Sequence, residues 1–197
     1  MTQKPTYYDK RSGFWRRHFD QATEYDAFLE KEDQRHADRW RETERRLPDL
    51  TNDQVERLKG FGREVNILFY CGVWCGDCAR QGPMLKKIAD AIGPEVHLRF
   101  IDRAASEELQ DELRILGALR VPVVVFLSED FWEVGRFGDR LLHFYRAKAA
   151  REIGRGLNAG VLSPKALAME MSEWVDVFER VQLMLRLSPP LRRRHGD

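Results

Sequence analysis

Three cysteines, the only ones in a chain of 197 residues, fall together in the run Cys71-Gly72-Val73-Trp74-Cys75-Gly76-Asp77-Cys78. The run sits where the hydrophobic period changes. Val65 to Tyr70 is a short, mostly apolar stretch, as expected of a strand buried on both faces. Residues 76 to 92 then place Met84, Leu85, Ile88, Ala91 and Ile92 on one helical stripe that stops at Gly93-Pro94. Cysteines three apart in the first turn of a helix hold their β-carbons roughly 5–6 Å apart, and a small adjustment reaches the disulfide distance of about 3.8 Å. The helix N-terminus also offers free amides and the positive end of a dipole, which favour a thiolate at Cys75. Cys75 and Cys78 therefore read as a redox pair with Cys75 attacking, and Cys71, on the strand side, as a buried, inert thiol.

The remaining pattern predicts an α/β chain. Val96 to Ile101 reads as a second strand and Ser106 to Leu116 as a helix, capped by Ser106, with Leu109, Leu113 and Leu116 inward. Val121 to Leu127 and Trp132 to Phe137 form a hairpin, so the sheet is mixed. In residues 1 to 60, 26 of 60 positions are charged, which predicts two exposed amphipathic helices at about 13–30 and 32–46, then a short helix from Thr51 to near Gly60. Residues 139 to 153 read as a helix with Leu141, Leu142, Tyr145 and Ala149 on one side, followed by a break at Gly154, Gly156 and Gly160. Ser163-Pro164 opens a last helix whose stripe of Leu167, Met171, Trp174, Phe178, Val181 and Leu185 is expected to pack on the domain. The expected organisation is a charged helical extension at 1–50, the strand-and-helix domain at 51–156, the C-terminal helix at 157–187 and a disordered tail at 188–197.

Composition removes several function classes. Lys plus Arg number 33 against 32 Asp plus Glu, a net charge of +1, so no global field favours nucleic acid or an anionic membrane. No run of about 18 apolar residues is present, and the polar residues from Met1 to Lys10 lack the pattern of a secretory signal; a cytoplasmic location is expected. The spacing Cys-x3-Cys-x2-Cys also resembles the iron–sulfur motif of radical S-adenosylmethionine enzymes, but Asp77 stands where those carry an aromatic, and the chain is short for that fold. A zinc site would need His97 or His143 as a fourth ligand, without recognisable spacing. No metal and no cofactor are expected.

Trp74-Cys75-Gly76-Asp77-Cys78 after a buried strand resembles the active-site turn of the thioredoxin superfamily, with Asp77 where thioredoxin has proline. Pro83 matches the family's kinking proline, Val121-Pro122 its cis-proline segment, and Gly138 the glycine opposite the active site. The resemblance covers residues 51 to 153. It implies a thioredoxin-like fold, a central mixed β-sheet flanked by helices with helical extensions at both ends, and a thiol-disulfide oxidoreductase. Cys75 would attack a substrate disulfide and Cys78 would resolve the mixed disulfide, while Trp74, Gly76, Asp77, the Val121 backbone, Pro122 and Gly138 would line the substrate groove. Partners would be protein disulfides and an unidentified electron donor. Two positions depart from the family: Phe69 replaces a buried acid, and Asp77 opposes ionisation of Cys75, so a reducing potential is expected. The alternative is a thioredoxin-like binding module whose cysteines are incidental.

Overall fold

The computed structural model describes residues 8–60, 62–154 and 163–196. Four strands form one mixed sheet in the order β2-β1-β3-β4, with β1 at Val65–Cys71, β2 at Val96–Asp102, β3 at Val123–Ser128 and β4 at Glu133–Gly138. β1 lies parallel to β2, with Cys71 opposite Asp102, and antiparallel to β3, with Tyr70 opposite Val123. Every residue of β1 and β3 is buried, which explains their unbroken apolar character. β3 and β4 form the expected hairpin, where the Ser128 hydroxyl accepts from the amides of Asp130 and Trp132 at 3.2 Å each.

The helix after β1, α5 at Gly76–Ile92, has the predicted bounds. α4 at Asn52–Leu58 begins at Thr51 in a capping box with Gln54. α8 at Pro164–Leu187 is capped by Ser163, and all six stripe residues are buried against the domain. Gly154 caps α7, at Leu142–Ile153, in the left-handed conformation, while Gly156 and Gly160 lie outside the described residues.

Four expectations are corrected. The N-terminal quarter is three helices, α1 at Ser12–Gln21, α2 at Tyr25–Glu30 and α3 at Gln34–Arg46, and they are not exposed appendages. Between α1 and α2, Thr23 exchanges backbone hydrogen bonds of 2.9 and 2.7 Å with Phe100 on the edge of β2, and that extended residue interrupts the helix. Trp15, Phe28 and Trp40 enter the core, with Phe28 and Trp40 packed on Phe100 and Trp40 on Phe69. The charges occupy the outer faces, as in the Glu42–Arg46 pair.

α6 is shorter than expected, at Glu107–Glu112, because Leu116 and Gly117 both adopt positive φ in a tight turn between Ile115 and Ala118. Leu109 and Leu113 point inward, but Leu116 is 92% exposed. In α7 the buried helical residue is His143, whose amide donates to Glu173 on α8, and Leu142 and Tyr145 face outward. The segment after Ser188, expected to be disordered, forms α9 at Pro189–His195. Leu191 is buried and Arg194 pairs with Asp130 at 2.6 Å, so the end of the chain is tied to the β3–β4 turn.

Trp40 also fixes α3 against the helix that follows the cysteines. Its Nε1 donates to the Val73 carbonyl at 2.9 Å, and its ring fills the space where a side chain on Gly82 would stand. Gly82→Ala, which would gain helix propensity at an open site, is expected instead to cost about 1–3 kcal/mol through overpacking. Thermal unfolding checks this, at about 2–4 °C per kcal/mol; an unchanged midpoint would show that the ring is not packed there.

Candidate active site

The turn from β1 to α5 places the cysteines. The Cys75 amide donates to the Gly72 carbonyl at 3.0 Å, and Cys75 is the N-cap of α5 with extended backbone, φ −77° and ψ 125°. Its Sγ accepts from the Cys78 amide at 3.4 Å, where another helix would use a serine hydroxyl. Cys75 is 9% exposed and Cys78 fully buried, and all three cysteines are free thiols.

Burial and hydrogen bonding separate the two thiols chemically. The hydrogen bond with the Cys78 side chain lowers the Cys75 pKa most, against an opposing effect of burial, and the amides of Cys78 and Asp77 add to the lowering; the result is about 7. Burial pushes the Cys78 thiol well above its ordinary value, and the shared hydrogen bond with Cys75 acts in the same direction. Cys71 is also driven up by burial, and its thiol donates to the Ile101 carbonyl at 3.7 Å. A more acidic thiol, largely but not fully buried, thus stands beside a fully buried, weakly acidic one.

The third wall comes from the segment before β3. The Cys75 thiol lies 3.7 Å from the Val121 carbonyl oxygen, and the Val121–Pro122 peptide is cis. Gly138, at the end of β4, allows the close approach of this segment: a Cβ there would stand 2.7 Å from the Pro122 carbonyl oxygen and 3.1 Å from Val123. Cys75, Cys78, Val121, Pro122 and Gly138 are therefore brought together. Trp74 is not part of the core; it is 46% exposed, its ring lies against Gly72, and the Arg103 guanidinium sits 4.8 Å from the ring centroid.

Asp77 is held by two arginines. Arg80 Nη1 donates to one carboxylate oxygen at 2.9 Å and Arg140 Nε to the other at 2.8 Å. Its charge raises the Cys75 pKa, as expected of a neighbouring carboxylate, but its effect is smaller than those of the hydrogen bonds and of burial. Arg80 in turn donates through Nε to Glu170 on α8 at 2.6 Å, in a pair removed from solvent. Phe69, where thioredoxin has an acid, is packed among Trp40 and Phe100, so that position carries no proton relay. His97 pairs with Glu64 and lies opposite Asn66, at the far end of β1 from Cys71.

Several supporting residues escaped the sequence reading. Asp139 accepts from Arg120 at 3.0 Å and from the Tyr145 hydroxyl, and its carbonyl accepts from Gln81 on α5 at 3.1 Å. Burial pushes the Asp139 carboxyl up, but these side-chain hydrogen bonds outweigh it and hold the group below its ordinary value. The network ties the residue before Val121 to the residue after Gly138 and to the active-site helix. Arg80, three residues after Asp77, was the one local signal of the cluster around Asp77; Glu170 and Asp139 are distant in sequence and had none.

Comparison with known proteins places this geometry in context. A family model described as Thioredoxin matches residues 22–150. A curated relative, Thioredoxin 2 of Plasmodium berghei (strain Anka), is 26% identical over 82 residues, covering 41% of this chain and 52% of the relative, so the chain spans about half the length of that protein. Among solved structures, a protein of unknown function from Pseudomonas aeruginosa has a TM-score of 0.64 at 20% identity, covering 82% of this chain and 95% of its own. An HIV epitope-scaffold has a TM-score of 0.63 at 21% identity, covering 84% and 97%. These structural likenesses concern the fold alone.

Proposed function

Because the chain belongs to the thioredoxin family, we propose that it is a thiol-disulfide oxidoreductase that reduces protein disulfides through Cys75 and Cys78. The observation that carries this reading is the asymmetry of the two thiols, one lowered to about 7 at a helix N-terminus and the other buried and raised. Cys75 thiolate attacks one sulfur of a substrate disulfide, forming a mixed disulfide and expelling the other sulfur as a thiolate. Cys78 then loses its proton, which passes to the expelled thiolate, and attacks Cys75 Sγ. The second substrate sulfur leaves as a thiolate and takes a proton from water, so the substrate has gained two electrons and two protons, and Cys75 and Cys78 share a disulfide. A dithiol electron donor restores the starting state.

The substrate backbone would pair with Val121 as an added strand, a mode that the position of its carbonyl near Cys75 supports. Trp74, Gly76, Asp77, Pro122 and Gly138 would line the same surface. The thiolate supports the reducing direction. An attacking thiol near 7 matches the reducing member of the superfamily at about −270 mV, whereas the strong oxidant at about −120 mV has a thiol near 3.5. A cytoplasmic setting, where glutathione keeps thiols reduced, fits that direction. Among the described residues no helix is long and apolar enough to cross a membrane.

The test counts thiols and measures turnover. Mild oxidation is expected to remove two of the three thiols, which return on reduction, and the reduced protein should accelerate reduction of insulin by a dithiol donor. A protein that keeps three thiols under oxidation and leaves insulin at the uncatalysed rate would instead be the binding module.

A further inference from the structure

Beside the dithiol, α3, α5 and α7 enclose with α8 a cleft of about 410 Å³, and Gly76 and Asp77 lie in its wall. The apolar part of the cleft comes from Ala79, Phe144 and Leu167; apart from Thr43 and Gly76 the rest is charged. Most of those charges have a partner. Arg46 pairs with Glu42 at 2.7 Å, a carboxylate it shares with Arg45, while Arg80 and Arg140 balance Asp77 and Glu170. Arg39 has no such partner. It projects from α3, forms no ion pair among the described residues, and holds its Nη2 3.1 Å from the point where a Cβ on Gly76 would stand. Gly76 follows Cys75 directly, so an unneutralised guanidinium is parked over the first residue after the attacking thiol. The absence of a side chain at position 76 leaves that place to Arg39.

Resting on the dithiol reading above, we infer that Arg39 determines specificity by taking a carboxylate side chain close to the reacting cysteine of a protein substrate. An extended chain advances about 3.3 Å per residue, so a substrate whose sulfur reaches Cys75 carries its next one or two residues past Gly76 and into the cleft. A guanidinium presents a planar fork that matches a carboxylate, and Arg39, itself exposed, holds that fork at the mouth of the cleft. The substrate class is thus a disulfide with Asp or Glu adjacent to, or one residue away from, the attacked cysteine. Arg39 belongs to the helical segment that sequence reasoning assigned to an extension, so that segment supplies part of the substrate surface.

Two synthetic cystine peptides test this, identical except that the residues flanking the cysteine are Glu in one and Gln in the other. The readout is the ratio of kcat/KM for the Glu peptide over the Gln peptide. The ratio cancels any effect of Arg39 on the thiolate itself, since both peptides meet the same Cys75. Wild type is expected to prefer the Glu peptide by about 2- to 5-fold, the size of one ion pair at an exposed arginine. Arg39→Gln brings the ratio to about one, Arg39→Lys keeps part of it, and Arg39→Glu reverses it. Raising the salt from about 0.1 M to 1 M, where the screening length falls from about 10 Å to about 3 Å, shrinks the wild-type ratio. Equal rates on the two peptides, or a preference that persists in Arg39→Gln, overturn this inference and leave the dithiol chemistry standing. Failure of the wild type to open either peptide overturns both.

Discussion

Cys75→Ser is expected to lower insulin reduction by at least about 100-fold, the loss typical of removing a nucleophile, and Cys78→Ser to lower turnover as severely by a different route. The first variant has nothing to attack with. The second still carries Cys75 at the N-cap, with the Cys78 backbone amide 3.4 Å from its sulfur, so it attacks and then stops at the mixed disulfide. Mass spectrometry should therefore find a covalent adduct through Cys75 with Cys78→Ser and none with Cys75→Ser. The side-chain hydrogen bond with Cys78 is the largest influence lowering the Cys75 pKa, so Cys78→Ser should also change the pH dependence of that attack. In the wild type, alkylation of Cys75 by iodoacetamide should rise about tenfold per pH unit below 7 and level off above it, a gain of roughly 50-fold between pH 5 and pH 7. The sign is that of a thiol whose reactive form is the deprotonated one, and a midpoint near its ordinary value of 9.0 would refute the N-cap assignment. Insulin reduction by Cys75→Ser at the wild-type rate would remove the catalytic role altogether.

The dithiol was legible in the sequence because its determinants are local. A buried strand, a turn and a helix start all lie within 65 to 78, and the apolar period changes at the cysteines themselves. α5, the cap at Thr51 and the stripe of α8 were legible for the same reason: caps and helical spacing act over a few residues. What failed was decided by contacts far apart in the chain. Thr23 interrupts a helical pattern because Phe100 offers it a sheet edge, and no residue near Thr23 announces that partner. Trp40, in a segment rich in charge, is buried because Gly82 leaves room for its ring. α9 is ordered through Leu191 and through Arg194 on Asp130, although its three arginines suggest a solvated end. The candidate site divides in the same way. Cys75, Cys78, Val121 and Pro122 stand where spacing and resemblance put them, whereas of the guanidinium groups around Asp77 only that of Arg80 is local; Arg140 comes from 63 residues away, and Arg39 reaches Gly76 only through the fold. The net charge of +1 gave no hint of them, because a sum over the chain carries no information on where charges meet.

Glu170→Ala is expected to be among the most destabilising single substitutions in the molecule. Glu170 is 0% exposed, and it receives Arg80 Nε at 2.6 Å and Nη2 at 3.3 Å, so its removal leaves a buried guanidinium with Asp77 alone. Breaking one side of a buried pair costs about 3–5 kcal/mol, or roughly 6–20 °C in the midpoint for a chain of this size. The pair itself is a different matter. Desolvating two charges offsets most of their attraction, so the double variant Arg80→Met with Glu170→Leu should recover most of the loss, since apolar groups of similar volume need no partner. A single variant as stable as wild type, or a double variant no better than the single, would refute this account of the pair. The two stabilities also separate structure from chemistry. Arg80 joins Asp77 at the start of α5 to Glu170 on α8, so the double variant keeps the fold while freeing the Asp77 carboxylate from one of its two cations. With that charge less neutralised, ionisation of Cys75 becomes harder, and the alkylation profile of the refolded double variant should move to higher pH. A stable double variant with the wild-type profile would limit Arg80 to packing; a shifted profile makes α8 part of the tuning of the attacking thiol.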